Sequence, residues 1–152
     1  MTPDQFIATY APAAQRACAG TGLLASINLA QAILESGWGA SGLTRSANNF
    51  FGIKAGKSWR GPVVTLPTRE QRPDGTLYTV QAAFRKYPTP EAAFQDRVAL
   101  FRLLPRYHRL FRVDTVAAEA QLLKDCGYAT DLQYPAKLVS IVKKYNLTRF
   151  DS

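Results

Sequence analysis

Four glutamates, Glu35, Glu70, Glu91 and Glu119, are the only ones in the 152 residues, and acid–base chemistry on this chain starts with them. Glu35 ends the apolar helical run Ala32-Ile33-Leu34 and is followed by Gly37-Trp38-Gly39. Apolar neighbours and the negative end of a helix both disfavour the carboxylate, so the pKa of Glu35 should rise. A carboxyl that keeps its proton near neutrality can donate it to a leaving group. The competing structural reading is a helix-end glutamate in front of a C-cap glycine. Glu91, after Thr89-Pro90, is accounted for by a helix N-terminus, and Glu119 in the first turns of the next helix is accounted for in the same way. Glu70 lies between Arg69 and Arg72 in a polar turn region and should stay ionised. A raised acid facing an ionised base is the pattern by which glycosidases protonate the leaving group on one side and activate water on the other. Asp74 and Asp131 are the fallback second carboxylates; the alternative for each is turn or cap chemistry.

The segment Asn48-Asn49-Phe50-Phe51-Gly52-Ile53-Lys54 has neither helical nor strand periodicity. Its amides suit hydroxyl and acetamido groups and its rings suit the faces of a sugar. It also reads as a packed loop closed by side-chain-to-backbone bonds.

Other chemistries are poorly supplied. One histidine, His108, and two distant cysteines, Cys18 and Cys126, make no zinc site, and no cofactor motif is present. His108 sits in Pro105-Arg106-Tyr107-His108-Arg109 with no nucleophile elbow around it. Each cysteine reads as a small packing residue. The formal charge of +8 favours a polyanionic partner. The densest basic cluster, Arg102, Arg106, Arg109 and Arg112 with His108, has no nucleic-acid motif beside it and reads as a solvated face. No run is long enough to cross a bilayer. Met1 to Gln15 lacks a basic region followed by an apolar one, so no secretory signal is expected.

The positioning elements follow from local signals. Thr2-Pro3-Asp4-Gln5 starts a helix whose face carries Phe6, Tyr10, Ala13 and Ala17, ended by Gly20 and Gly22. A second helix from about Ser26 to Glu35 is apolar nearly all round and so should be buried on most sides. A short turn is expected over Ser41–Ser46. Val63–Leu66 and Tyr78–Phe84 are rich in β-formers around the turn Arg72-Pro73-Asp74-Gly75, giving an antiparallel hairpin with Glu70 at its end. Thr89-Pro90-Glu91 opens a helix stopped by Pro105. Asp114 or Thr115 caps the next, to about Cys126. A last helix from Tyr134-Pro135 buries Leu138, Ile141, Val142 and Tyr145. The expectation is one domain over 1–152, α+β but mostly α: a helical lobe, a small β lobe inserted at about 59–87, and a cleft between them.

Four motifs in order carry a family resemblance: Leu29-Ala30-Gln31-Ala32-Ile33-Leu34-Glu35-Ser36-Gly37-Trp38-Gly39; Asn48-Asn49-Phe50-Phe51-Gly52-Ile53-Lys54; Phe84-Arg85-Lys86-Tyr87; and Cys126-Gly127-Tyr128-Ala129-Thr130-Asp131 with Tyr134 and Lys137-Leu138. The chain resembles glycoside hydrolase family 73, the endo-β-N-acetylglucosaminidases of bacterial cell walls, over about Thr2 to Leu147. The resemblance implies a lysozyme-like fold, Glu35 as general acid and Glu70 as second carboxylate. It implies a role for Tyr128 at the substrate's acetamido group or the reacting centre. Trp38, Asn49, Phe51, Gly52 and Asp131 are implied to bind the sugar. Phe50, where the family commonly has an aliphatic residue such as Leu, alters packing only.

The expected activity is hydrolysis of the β-1,4 bond between N-acetylglucosamine and N-acetylmuramic acid in peptidoglycan, without cofactor or metal. A lytic transglycosylase or muramidase on the same polymer is the close rival, and a non-catalytic wall-binding module the distant one. The expected partner is the glycan strand, for a monomer that neither binds nucleic acid nor inserts in a membrane. The site of action is the periplasm or cell wall, reached by holin, phage particle or secretion apparatus. An inhibitor or immunity protein is expected if the protein is an effector.

Overall fold

The helix that carries Glu35, α2 (Ala25–Ser36), is enclosed by the rest of the chain in a computed structural model that describes residues 1–152. Ten of its 12 residues are buried. It has no side-chain cap of its own. Its first free N–H groups are satisfied from far along the chain: Leu24 N–H donates to Glu119 Oε1 at 3.1 Å and Ser26 N–H to Asp151 Oδ1 at 2.8 Å. A buried helix end requires such partners. Gly37, at φ 55°, closes the other end in the left-handed conformation that glycine adopts without penalty.

Around α2 lie α1 (Pro3–Cys18), α4 (Pro90–Leu103), α5 (Val116–Asp125) and α6 (Tyr134–Lys144). The short α3 (Gly42–Ala47) follows α2, and 3-10 segments span Pro105–Arg112 and Leu147–Phe150. The predicted caps are present: Thr2 and Gln5 form a capping box on α1, Thr89 caps α4 and Thr115 caps α5. The apolar face of α1 meets α2 and α4, with Phe6, Ile27, Phe94 and Phe101 all at zero exposure. Each such side chain contributes about 2 kcal/mol by leaving water. Phe50 joins this cluster, its ring 4.8 Å from that of Tyr10 and 5.4 Å from that of Phe94, which fits the reading of that position as a packing change.

The hairpin is present and longer than its β-forming residues suggest. Strand β1 (Val63–Gln71) pairs antiparallel with β2 (Leu77–Arg85), in register from Val63↔Arg85 to Gln71↔Leu77. Backbone pairing carries the strands past the apolar residues, because neither strand needs a buried face: in β1 every residue is exposed or half-buried. Backbone bonds tie the hairpin down at its base, and nearer the turn the Glu70 carboxylate meets Lys54. Ala55 N–H donates to the Ala83 carbonyl at 2.8 Å and Arg85 N–H to the Ile53 carbonyl at 3.1 Å. The buried Arg85 also pairs with Asp96 of α4 at 3.0 Å.

Candidate active site

Glu35 is the next-to-last residue of α2, so the burial of that helix fixes where its carboxylate points. The carboxylate opens into a pocket lined by Leu34, Phe51, Gly52, Gly127, Tyr128, Asp131, Tyr134 and Lys137. Glu35 is accessible from this pocket, yet protein surrounds it closely enough that loss of solvation raises its pKa. A hydrogen bond from Tyr134 Oη to Oε1, 2.9 Å long, opposes the rise without cancelling it. The direction matches the sequence expectation, and its cause is burial.

The loop that follows α3 builds the opposite wall. Asn49 is 1% exposed, and all its polar atoms are used within the protein. Its Nδ2 donates to the carbonyls of Ile53 and Arg85, both at 2.9 Å, and its Oδ1 accepts from Phe51 N–H at 3.3 Å and Ile53 N–H at 3.2 Å. Asn49 therefore shapes the loop and ties it to β2. Phe51 is buried, with its carbonyl accepting the Tyr128 hydroxyl at 2.7 Å. Gly52, at φ 67°, brings bare backbone against the acid: a Cβ there would lie 3.8 Å from Glu35 Oε2. A second pocket, lined by Lys54, Lys57, Arg85, Arg106 and Tyr107, shares Gly52, Gly127 and Tyr128 with the first. The two make one continuous groove passing Glu35.

Tyr128, after the left-handed Gly127 (φ 92°), lines both parts of this groove. Its hydroxyl is shielded from solvent near Tyr134 and Glu35, and its pKa lies well above the ordinary value. Asp131 lines the same pocket as Glu35, but its oxygens accept from Lys137 Nζ at 2.6 Å and Gln133 N–H at 2.9 Å. These bonds lower its pKa. Trp38 is not at this groove. Its ring packs edge-on against Phe6 and Tyr145, and it lines a separate hollow with Ile33, Lys144 and Tyr145.

Glu70 lines neither part of the groove. Its carboxylate is held by Lys54 Nζ at 2.7 Å, and Lys54 does line the groove, so Glu70 stands at the rim, one ion pair removed. Glu119 requires a correction. It is in the first turn of α5 as expected, but it is wholly buried, not a solvated helix-start acid. Burial raises its pKa to about 7, and its Oε1 serves the N-terminus of α2. Elimination by sequence position could not see that partner, 95 residues away. Glu91 conforms to its reading and pairs with Arg16 at 2.8 Å.

The residue missed at the site is Tyr134. Its sequence context marks it as a helix start and as part of the fourth motif, with no sign that its proton goes to Glu35. Gln31, one turn before Glu35, donates to Tyr134 Oη at 2.7 Å and so belongs to the same constellation. The i, i+4 spacing of Gln31 and Glu35 on one helix was the available signal.

Comparison with known proteins bears on this arrangement. The glucosaminidase family, described as mannosyl-glycoprotein endo-β-N-acetylglucosaminidase, matches residues 11–147. The chain is 37% identical over 143 residues to the peptidoglycan hydrolase FlgJ of Escherichia coli K12, covering 91% of this chain and 45% of that protein. It is 39% identical to the exo-glucosaminidase LytG of Bacillus subtilis (85% and 46% covered). It is 36% identical to a probable N-acetylmuramidase of Lactococcus lactis (97% and 35%). The chain thus spans less than half the length of these relatives. The catalytic domain of the Listeria monocytogenes autolysin Auto superposes with a TM-score of 0.86 at 34% identity, covering 99% of this chain and 90% of that one. The glycoside hydrolase domain of Salmonella typhimurium FlgJ gives 0.76 at 34% identity, with 98% and 91% covered. A mostly helical chain with one two-stranded sheet, lysozyme-like in fold and matched to this family over nearly its whole length, belongs to the glucosaminidases of glycoside hydrolase family 73.

Proposed function

We propose that this protein hydrolyses the glycan strands of peptidoglycan at the β-1,4 bond that follows N-acetylglucosamine, with Glu35 as general acid. The observation that carries the reading is a carboxyl of raised pKa opening into a groove walled by bare backbone at Gly52 and by two tyrosines. Protonation of the leaving oxygen by such a group is worth about 10²–10⁴ in rate. Tyr128, its hydroxyl donating to the Phe51 carbonyl, lines the groove beside the acid and forms part of the wall against which a sugar would lie. Phe51 and Gly52 complete that wall, with Asp131 at the far end, and Asn49 acts by holding the wall in place. Trp38 acts at most through packing.

Glu70 is the proposed second carboxylate, set at the rim by Lys54. A muramidase reading is favoured by one specific observation, the similarity to a probable N-acetylmuramidase. Both share the acid and differ in which sugar carries the new reducing end. Purified peptidoglycan is digested, the new ends reduced, and the products weighed by mass spectrometry. Reduced N-acetylglucosamine is expected; reduced N-acetylmuramic acid makes the protein a muramidase, and 1,6-anhydro ends make it a transglycosylase. Glu35→Gln is expected to lower turnover by about a thousandfold with the fold intact. Glu70→Gln separates mechanisms. A loss of about a hundredfold or more supports two-carboxylate hydrolysis, and a loss below about tenfold supports assistance by the substrate's own acetamido group.

A further inference from the structure

A chain of hydrogen bonds runs from the buried interior to Glu35, and each link has a forced direction. Arg97 of α4 is wholly buried, with its guanidinium over the rings of Phe101 at 4.7 Å and Phe51 at 5.7 Å. Its Nε donates to Gln31 Oε1 at 2.7 Å. Arginine has no acceptor, so the oxygen of the Gln31 amide must face it, and the NH₂ must face the other way. That NH₂ meets Tyr134 Oη at 2.7 Å. An amide NH₂ only donates, so Oη accepts there and its own proton goes to Glu35 Oε1, 2.9 Å away. An oxygen that accepts this bond is the carbonyl oxygen of the neutral acid. The proton of Glu35 is then left to Oε2, the oxygen facing Gly52 and the open groove.

We infer that Arg97 and Gln31 are positioning residues that, through Tyr134, decide which oxygen of Glu35 carries its proton. The inference rests on the reading of Glu35 as the general acid. Without the relay, the neutral carboxyl could turn its O–H onto Tyr134, where it would be engaged in an internal bond and withheld from the substrate. The buried charge of Arg97 makes the arrangement stiff, because reversing the chain means giving up a charge-assisted bond in a desolvated interior. The other groups that face Glu35 do not compete for this role. Tyr128, from the loop before α6, gives its proton to the Phe51 carbonyl. Asp131 and Lys137 pair with each other. The Phe51–Gly52 wall offers no titratable side chain.

The test is Gln31→Glu, which keeps the shape and reverses the polarity. The new carboxylate still accepts from Arg97, and its other oxygen takes the proton of Tyr134, so Glu35 loses its donor. The full chain is assayed on purified peptidoglycan across pH. The Glu35 carboxyl carbon is titrated by ¹³C NMR, and the melting temperature is recorded. Expected are a fall in kcat of about tenfold or more at nearly unchanged KM and a rise of about one pH unit in both the alkaline limb and the NMR midpoint. If Gln31→Glu does not fold, Gln31→Met, which removes the donor to Tyr134 without adding charge, is expected to shift both in the same direction by less. Midpoints and limbs equal to the parent protein's in the folded variant overturn the relay. A merely structural role for Gln31 would lower the melting temperature and leave the midpoint in place, which also overturns it. Failure of the underlying reading looks different: Glu35→Gln would then retain activity, while the NMR midpoint would still report on the relay by itself.

Discussion

Tyr134 separates binding from acidity at the scale of one residue. Its hydroxyl stabilises the ionised form of Glu35 and so works against the desolvation that raises the pKa. Tyr134→Phe removes that bond and leaves the ring. The pKa of Glu35 should rise further, the alkaline limb of the pH–rate profile should move up, and kcat at its optimum should fall by about tenfold. A profile with an unmoved alkaline limb would mean that Glu35 does not set it. The raised pKa of Glu35 was legible in sequence because the apolar run that carries it into the interior and the glycine C-cap that ends its helix lie within one window. Tyr134 was not, because the bond joins residues 99 apart and no neighbour of Tyr134 in the chain points to a partner for its hydroxyl. Trp38 shows the opposite failure. Adjacency to the motif suggested a groove residue, but its left-handed backbone (φ 59°) turns the ring away to pack between Phe6 and Tyr145.

Among the elements, the loop from Asn48 to Lys54 decides whether a groove exists at all. Sequence left two readings of Asn49, sugar contact or loop closure, and the structure uses its amide four times for closure. Asn49→Ala strands the buried N–H groups of Phe51 and Ile53 and takes a donor from the carbonyls of Arg85 and Ile53, of which Ile53 keeps the Arg85 N–H; each lost partner costs about 1 kcal/mol or more where none replaces it. We expect a loss of about 3 kcal/mol in unfolding free energy by denaturant titration. Activity should fall with the loosened Gly52 wall even where the variant remains folded. Retention of parent stability would show that the four bonds are readily replaced. The helices were readable to within a residue or two because their caps and glycine stops are local. The hairpin was recognisable from its turn, but its extent was not: backbone pairing continues over residues that no buried face selects.

For the whole molecule, the buried carboxyls set how stability follows pH. Glu119 binds its proton with a pKa of about 7 in the folded protein against an ordinary 4.5. Below about pH 4.5 both folded and unfolded chains hold that proton and the group contributes nothing to the difference. Between about 4.5 and 7 the unfolded chain has released it and the folded one has not, so the folded state binds more protons and stability falls as pH rises. Glu35, also raised, acts with the same sign. Glu91, Asp74 and Asp131 are lowered by their hydrogen bonds, so the stability they confer is present at neutral pH and lost below their unfolded values. They are near the surface and oppose the trend only in acid. The pKa difference of Glu119 corresponds to about 3 kcal/mol across its window. Glu119→Gln isolates that contribution, because a glutamine oxygen can still accept from Leu24 N–H while the titration disappears. Denaturant unfolding at pH 5 and pH 7.5 should therefore show the parent protein losing about 2 kcal/mol more than the variant between the two conditions, because pH 5 already lies inside the window. Equal losses would place the proton of Glu119 elsewhere and leave the N-terminus of α2, and with it the helix that aims Glu35, indifferent to pH.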